Sequence, residues 1–372
     1  MGKFRHSLNN LKVLCTFVLC GILAAGLWPF HAPRNEVSWL SQRNGLLFGE
    51  YGSIVSASAF RANQSQADSS CSLEIWLEPS RVDSGGTILA FYWPESRVVP
   101  IALVQSFGDL VLQRTSQDQF HHAKKTQFYV DLFSHPKPVV VVISSGESGT
   151  TVYADGTIVR KSPNLRFSIR DLTGQLIVGS SPLKRNNWSG QLRGLTIYSR
   201  ELSAWDVSKH YASFIESKHT ELAKTEGAVA RYLFNEGHGS VVQNEVDSAT
   251  DLLIPERFFV LHEQFLKPFW EEFYGGWSYW RNICINIAGF IPLGFFFFAY
   301  LSLARRAAHP AAVTIALGLF VSLTIEVLQT FLPTRESGTT DLITNTLGTA
   351  VGVIAFRYRA FRPCWPRRGA LH

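Results

Sequence analysis

The sequence is poor in charged residues. Of its 372 residues, 17% are charged and 46% are hydrophobic, whereas a typical soluble chain carries about 25% charged residues. The deficit is local, because apolar runs occupy the two ends and the middle has the composition of a soluble domain. Arginines at the ends of the apolar runs supply much of the net charge of +6, and no solvated basic patch stands out in the middle. Nucleic acid is therefore not an expected partner.

Cysteine is also scarce. Five occur, and only Cys71 lies in the middle region, which excludes a disulfide within that region whatever the compartment. No CxxC pair or Cys/His cluster has the spacing of a zinc site, so neither a metal nor a cofactor is predicted. The chain also has no Ser/His/Asp set and no nucleophile with an evident base, and an enzyme is therefore not the first expectation.

What the chain does have is four long apolar runs, at residues 13–30, 282–304, 310–332 and 340–356. The first fits either a cleaved signal peptide or a retained anchor of about 18 residues. Hydropathy makes the second and third strong span candidates, while Asp341 and Asn345 interrupt the start of the fourth. The pattern predicts an α-helical transmembrane bundle of about four spans.

Basic residues predict the orientation of this bundle. Short loops rich in Lys and Arg stay in the cytoplasm, and the N-terminal tail, the Arg305-Arg306 loop and the arginine-rich C-terminal tail all qualify. Four spans with both termini inside satisfy all three. The middle region, roughly 35–276, then lies outside the cytoplasm, and Trp270, Trp277, Tyr279 and Trp280 suit an interfacial aromatic belt.

The middle region alternates short apolar runs with turn signals. In "SLEIWLEP", residues 72–79, Leu73, Ile75 and Leu77 fall on one face of a strand and the residues between them on the other. "TVYADGTIV", residues 151–159, predicts a hairpin, since Asp155-Gly156 suits the positive φ angles of a two-residue turn. Many short strands at this spacing predict one all-β sandwich or jelly roll.

Residues 188–211, "WSGQLRGLTIYSRELSAWDVSKHY", resemble the closing strand of laminin-G-like, concanavalin-type jelly rolls. A small polar-Gly turn leads to a strand, then to "R-x-L-S" and a short acidic helix. Residues 230–258 resemble the opening segment of such domains, "Y-x-F-x-E-G-x-G", but follow the closing strand. They are expected either to complete the sheet in a rearranged order or to form a separate strand pair before the membrane.

The resemblance implies binding of a glycan or a protein surface, sometimes through calcium. Trp76, Trp93 and Trp188 are the candidate ligand contacts, against the alternative that a jelly roll buries several aromatics in its core. Calcium would need several oxygens from different loops. The spacing of the aspartates in the middle region does not single out such a set.

The membrane-embedded part carries ionisable groups that a span normally avoids. Glu326 lies about 10 Å inside the third span, Arg335 sits just past its end, and Asp341 opens the fourth. The polar residues expected to meet at one end of the bundle are Asn282, Asn286, Glu326, Gln329, Arg335, Asp341 and Asn345. Arg335 is the expected partner of Glu326 or Asp341, because a buried carboxylate needs one.

Two readings of these polar groups remain open. They either hold helices together or form a functional pocket, and ionisable residues inside a membrane favour the pocket. Gly289, Gly348 and Gly352 are expected to let the helix backbones approach closely.

The motifs "N-x-x-x-N-x-x-x-F-I-P-L-G-F", "I-E-x-x-Q-x-F-L-P-x-R" and "D-L-x-x-N-x-x-G" resemble the VanZ-like family, polytopic bacterial membrane proteins named for a teicoplanin-resistance protein. The matching residues are Asn282, Asn286, Phe290, Pro292, Gly294, Glu326, Gln329, Pro333, Arg335, Asp341, Asn345 and Gly348. The resemblance implies a retained first span and a jelly roll inserted after it. The expected segments are 1–34, 35–254, 255–280, 281–357 and 358–372.

The expected function is that of a multi-pass protein of the bacterial inner membrane. Its jelly roll would bind a glycan, a peptidoglycan precursor or an envelope protein, and its polar pocket a lipid-linked or amphipathic ligand near the outer leaflet. Membrane lipid and a second copy of the chain are further expected partners. The alternatives are a membrane enzyme that uses Glu326 or Asp341 as general acid or base, and a proton-coupled transporter.

Overall fold

A computed structural model describes residues 2–61, 70–93, 95, 98–117, 123–216, 227–261, 264–273, 275–304 and 307–358. The chain divides into a helical unit, residues 1–31 with 264–372, and a sandwich unit, residues 32–263. The sandwich unit is thus inserted between two parts of the helical unit. Arg305, Arg306 and the C-terminal tail, on which the predicted orientation rests, lie outside the described residues.

The described part of the sandwich unit forms two antiparallel sheets. The strands are β1 (Val37–Trp39), β2 (Leu46–Phe48), β3 (Ile54–Ser56), β4 (Cys71–Pro79), β5 (Gly85–Trp93), β6 (Val98–Ser106), β7 (Asp109–Gln117), β8 (Ala123–Asp131), β9 (Val139–Gly146), β10 (Gly149–Ala154), β11 (Thr157–Ser162), β12 (Gln175–Val178), β13 (Gly190–Tyr198), β14 (Ala228–Tyr232), β15 (Val241–Val242) and β16 (Leu252–Leu253). The first sheet has the order β1-β2-β13-β4-β9-β10-β11, with β14 also on β13, and the second β15-β16-β3-β12-β5-β6-β7-β8.

The core lies between the two sheets and follows the predicted alternation. Leu73, Ile75 and Leu77 of β4 all point into it, and each such side chain contributes about 1.5–3 kcal/mol by leaving water. The predicted hairpin joins β10 to β11, and both Asp155 and Gly156 have positive φ angles, 49° and 79°. The all-β jelly-roll expectation is confirmed.

The segment after the closing strand completes both sheets, which settles the two alternatives left by the sequence. β14 pairs with β13 through Leu195 opposite Tyr232, and β16 pairs with β3 through Leu252 opposite Ser56. Residues 228–253 therefore take a rearranged order within the sandwich and do not form a separate strand pair.

One helix, α2 (Ala204–Glu216), covers the outer face of the first sheet. It begins with a reciprocal cap, because the Ser203 backbone N–H donates to Asp206 Oδ2 and the Asp206 N–H donates to Ser203 Oγ. Phe214 packs edge-on against Trp76, with ring centroids 4.7 Å apart. The outer face of β4 is consequently buried from solvent, as its core face is.

The helical unit contains α1 (Gly2–Leu27), α3 (Phe269–Glu272), α4 (Trp277–Ala304), α5 (Pro310–Gln329) and α6 (Thr339–Arg357). In the described part of the chain, three helices are long and apolar enough to cross a membrane: Leu8–Leu27, Trp277–Ala304 and Pro310–Gln329. α6 runs beside α4, since Asn286 contacts Asp341 near their starts and Phe298 packs on Phe356 near their ends. These helices agree with the expected bundle of about four spans.

Glycines bring α6 against its neighbours. A Cβ on Gly348 or Gly352 would overlap a backbone carbonyl of α4, so both positions act as expected. Gly289 does not, because no described residue has an atom within 4 Å of the place where its Cβ would be. Gly294 takes that role on α4, facing the carbonyl of Thr349.

Candidate functional site

Polar side chains of α4 and α6 meet near the starts of these helices. Asn286 lies in the third turn of α4 and Asp341 in the first turn of α6. The Asn286 amide donates to Asp341 Oδ1 at 2.7 Å. Because α4 and α6 touch through glycines further along, the contact between Asn286 and Asp341 is held in place.

Glu326 of α5 is buried beside the start of α6, with 1% of its surface exposed. The chain turns after α5 so that the Gly338 backbone N–H donates to Glu326 Oε2 at 2.9 Å. A backbone donor at a helix start is a good partner for a carboxylate, because the helix dipole adds to the hydrogen bond. Glu326 and Asp341 therefore lie at the same end of the bundle, as the sequence predicts.

A third carboxylate, Glu272 of α3, joins this end, and sequence reasoning missed it. Its Oε2 accepts a hydrogen bond from the Thr340 backbone N–H at 3.0 Å and another from the Thr340 hydroxyl. The segment before α3 pairs with the loop before α6, since the Lys267 N–H donates to Ser337 O at 3.0 Å and the Thr339 N–H to Lys267 O at 2.9 Å. The signal was the pair of acids in "FWEEFYGGW", between exposed aromatics.

The three carboxylates form one electrostatic group, here called the acid cluster: Glu272, Glu326 and Asp341. Glu272 interacts with both of the others, and Asp341 also with Glu326. Glu326 is the deepest of the three, while Glu272 and Asp341 are half-buried. The cluster is thus open on one side.

Arg335 does not form the expected ion pair with Glu326 or Asp341. Its Nε donates to the carbonyl of Trp28 at 2.9 Å, and Nη2 donates to the same oxygen. Gln329 likewise donates to the Gly26 carbonyl at 2.8 Å. The reason is that the last carbonyls of α1 lack helical partners, and a guanidinium and an amide satisfy them. Arg335 remains an electrostatic neighbour of Asp341.

Two further predicted residues differ in their placement. Asn345 is buried between α5 and α6, where its amide donates to Ser322 Oγ at 3.0 Å. Asn282 is exposed on α4, one turn before Asn286, and the structure does not bring it to the cluster. Sequence spacing placed both on the right stripe, but α6 does not extend far enough to meet Asn282.

The candidate tryptophans of the sandwich unit are largely interior. Trp188 is 1% exposed and donates from Nε1 to Gln105 Oε1 at 2.8 Å. Trp76 is 5% exposed, beneath α2. Neither side chain presents a ring face to a ligand. Both are core aromatics, which is the alternative that the sequence left open. Trp93 is half-buried and donates to Thr173 Oγ1 at 3.0 Å.

A buried polar cluster under α2 was also missed. Glu74 Oε2 accepts the Tyr198 hydroxyl at 2.7 Å and lies 3.3 Å from His210 Nδ1. All three side chains are buried, so this cluster anchors α2 on the sheet and is closed to substrates. The alternation along β4 predicts that Glu74 lies on the face of the sheet away from the core. Its burial is explained by α2, which covers that face.

Burial and charge shift two pKa values in the sandwich unit. Burial, reinforced by the charge of Asp171, raises the pKa of the Cys71 thiol and keeps it unreactive. Burial alone would raise the pKa of Asp206, but hydrogen bonds from Ser203 and the Arg200 guanidinium lower it to about 2. In the described residues, no group of three or more His, Cys, Asp or Glu side chains is placed to hold a metal ion.

Two family models match the chain. The model described as VanZ/LLP1 matches residues 229–362, and that of the concanavalin A-like lectin/glucanases superfamily matches residues 51–208. The first range begins in β14 and contains the whole acid cluster. A search of the curated proteins found no match.

Solved structures are similar to part of the chain. A candidate carbohydrate-binding protein from Bacteroides ovatus is 11% identical with a TM-score of 0.40, covering 59% of this chain and 58% of that one. The receptor-binding domain of botulinum neurotoxin D is 16% identical with a TM-score of 0.35, covering 50% and 48%. The chain thus spans about half the length of these structures. It combines a VanZ-like region with a concanavalin A-like domain, as its motifs predict.

Proposed function

We propose that the protein is an envelope membrane protein that binds a glycan or a lipid-linked envelope ligand. The observation that carries the proposal is the acid cluster at one end of an apolar bundle. Carboxylates are costly in a membrane-spanning bundle and mark ligand or ion sites there. The VanZ-like and lectin-like matches support the envelope setting and the glycan chemistry of the ligand.

The two units divide the task in this proposal. The sandwich unit lies outside the cytoplasm and contacts the glycan or protein part of the ligand, with the half-buried Trp93 as the remaining tryptophan candidate. The helical unit receives the polar part of an amphipathic ligand near the outer leaflet, at the level of the acid cluster. The exposed side chains of Trp270, Trp277 and Trp280 near the start of α4 suit that interface.

Helix glue alone does not account for the cluster. Asparagine and serine pairs such as Asn345–Ser322 are sufficient to join helices. Three acids at one end repel one another, and the nearest guanidinium is engaged with the Trp28 carbonyl. This arrangement costs stability in the empty protein, which supports a role in binding.

Binding of a lipid-linked peptidoglycan precursor to the full chain in nanodiscs tests the proposal. Glu326→Gln keeps the acceptor for the Gly338 N–H but removes the charge, and it is expected to weaken binding at least about tenfold, or about 1.4 kcal/mol. The matched control is Glu271→Gln, which removes an exposed acid adjacent to Glu272. A glycan array probes the sandwich unit in parallel. If neither the precursor nor any glycan binds, the proposal fails.

A second candidate function is proton-coupled transport, because hydroxyl and amide groups continue inward from Glu326. Ser322 pairs with Asn345, and the Thr349 hydroxyl donates to the Asn345 carbonyl at 3.0 Å. Such a column can relay protons when water joins it. A pH gradient across proteoliposomes that drives Glu326-dependent flux would favour transport over binding.

A further inference from the structure

Two buried amide oxygens beside the acid cluster have no hydrogen-bond partner among the residues that the structure describes. They are Oε1 of Gln329, which is 7% exposed, and Oδ1 of Asn345, which is 6% exposed. Gln329 follows Glu326 by about one helical turn, and Asn345 contacts Ser322, one turn before it. Along α5, these two side chains are therefore placed about one turn before and one turn after the deepest carboxylate. An unpaired buried acceptor costs about 1–3 kcal/mol, so a donor is expected here.

The negative charge of the acid cluster also favours a ligand that is a hydrogen-bond donor and carries a positive charge. When ionised, three carboxylates and the one guanidinium of Arg335 leave a formal charge of −2. The Lys267 ammonium lies 3.9 Å from the exposed carboxylate of Glu336, which is not part of the cluster. The backbone N–H groups of Gly338 and Thr340 offset part of it. A cation bound at the open side would compensate the rest.

Hydrogen-bonding chemistry indicates which kind of cation fits the acid cluster. A phosphate would be repelled by the carboxylates and would find the loop N–H groups already engaged. A metal ion needs converging ligands, and the described residues supply no such group of three. A primary ammonium carries three N–H donors, and it matches a lining of carboxylate and amide oxygens. A quaternary ammonium has the charge but no donor.

We propose that the acid cluster binds a primary ammonium group on an amphipathic ligand at the outer end of the helical unit. This inference rests on the proposed function and identifies the part of the ligand that the membrane site takes. Glu326 receives the ammonium at the deepest point, while Glu272 and Asp341 line the open side. The exposed rings of Phe269, Trp270 and Phe273 beside Glu272 contact the apolar part of the ligand.

The experiment compares headgroups that differ only in their donors. The full chain in phosphatidylcholine nanodiscs is titrated with short-chain phosphatidylethanolamine, phosphatidylcholine and phosphatidylglycerol, and Kd is measured calorimetrically. Phosphatidylethanolamine is expected to bind at least about tenfold more tightly than the other two. Free ethanolamine distinguishes the source: competition at similar concentrations identifies a soluble amine, and its failure to compete identifies the lipid headgroup.

Matched variants locate the site. Glu326→Gln and Glu272→Gln are expected to abolish the preference for phosphatidylethanolamine, whereas Glu271→Gln, an exposed acid adjacent to Glu272, leaves it intact. Circular dichroism confirms that each variant is folded. Equal binding of the three lipids, tighter binding of phosphatidylglycerol, displacement by Ca²⁺ or Mg²⁺, or a preference unaffected by both variants would overturn the inference. If precursor binding still depends on Glu326, the proposed function survives that result.

Discussion

Gly348→Ala is expected to separate two helices that touch through their backbones. A Cβ at this position would overlap the Ile287 carbonyl of α4, and neither backbone can yield without a shift of the whole helix. Overpacking of this kind costs about 1–3 kcal/mol. Alanine regains up to about 1 kcal/mol over glycine in a helix, so the net loss is about 0–2 kcal/mol.

Gly289→Ala is the matched control, since Gly289 is also a helical glycine of the bundle but has open space around its Cβ position. It gains the same helix propensity without a clash. The difference between the two variants therefore isolates the packing effect, about 1–3 kcal/mol.

Unfolding of the full chain by SDS in mixed micelles, followed by far-ultraviolet circular dichroism, measures this difference. The helical unit supplies most of the described helix, so the signal reports on the bundle. Equal stability of the two variants would refute the close backbone contact between α4 and α6. A stability loss without weaker ligand binding would show that the Asn286–Asp341 contact tolerates the shift.

Three further predictions concern other parts of the molecule. Trp188→Ala is expected to destabilise the sandwich unit by about 3–5 kcal/mol. Trp205→Ala, on the exposed face of α2, is expected to lower the free energy of unfolding by less than about 1 kcal/mol. Thermal unfolding compares the two variants, and similar losses of stability would contradict the assignment of Trp188 to the core. The pKa of Asp206 in the folded protein is lowered to about 2 from 3.8. Its contribution to the free energy of unfolding is therefore complete above pH 3.8 and disappears as the pH falls to about 2. Asp206→Asn should flatten this part of the profile of stability against pH, and an unchanged profile would disprove the cap. Gln329 donates to the carbonyl of Gly26 and Arg335 to that of Trp28, so α1 is expected to stay attached to the bundle. An N-terminal tag should therefore be recovered on the membrane protein at full mass. Loss of the tag would indicate cleavage.

The periodicity of the sequence was sufficient for the sandwich, because one residue in two decides the face of a strand. It gave the core side of β4 and the hairpin at Asp155-Gly156. It did not give the burial of Glu74 or Trp76, since the cover over them comes from α2, more than a hundred residues later. The place of residues 228–253 in the sheets also depends on pairings with distant strands.

The candidate site was predictable where helical spacing decides it. Intervals of three and four residues placed Glu326, Asp341 and Asn286 at one end of the bundle, and the structure agrees. The partner of Arg335 was not predictable, because the carbonyls at the end of α1 compete for the guanidinium and are distant in sequence. Glu272 was missed since it precedes the spans, in a segment whose position depends on pairing with the loop before α6.

The two ends of the sandwich unit are fastened to each other. The Asn35 N–H donates to the Glu256 carbonyl at 3.0 Å, and the Phe258 N–H to the Pro33 carbonyl at 3.1 Å. An insert whose ends already touch adds little closure entropy to its host. Such a module is suited to exchange: a short linker or an unrelated domain with adjoining termini should replace residues 33–258 and leave the host bundle able to assemble.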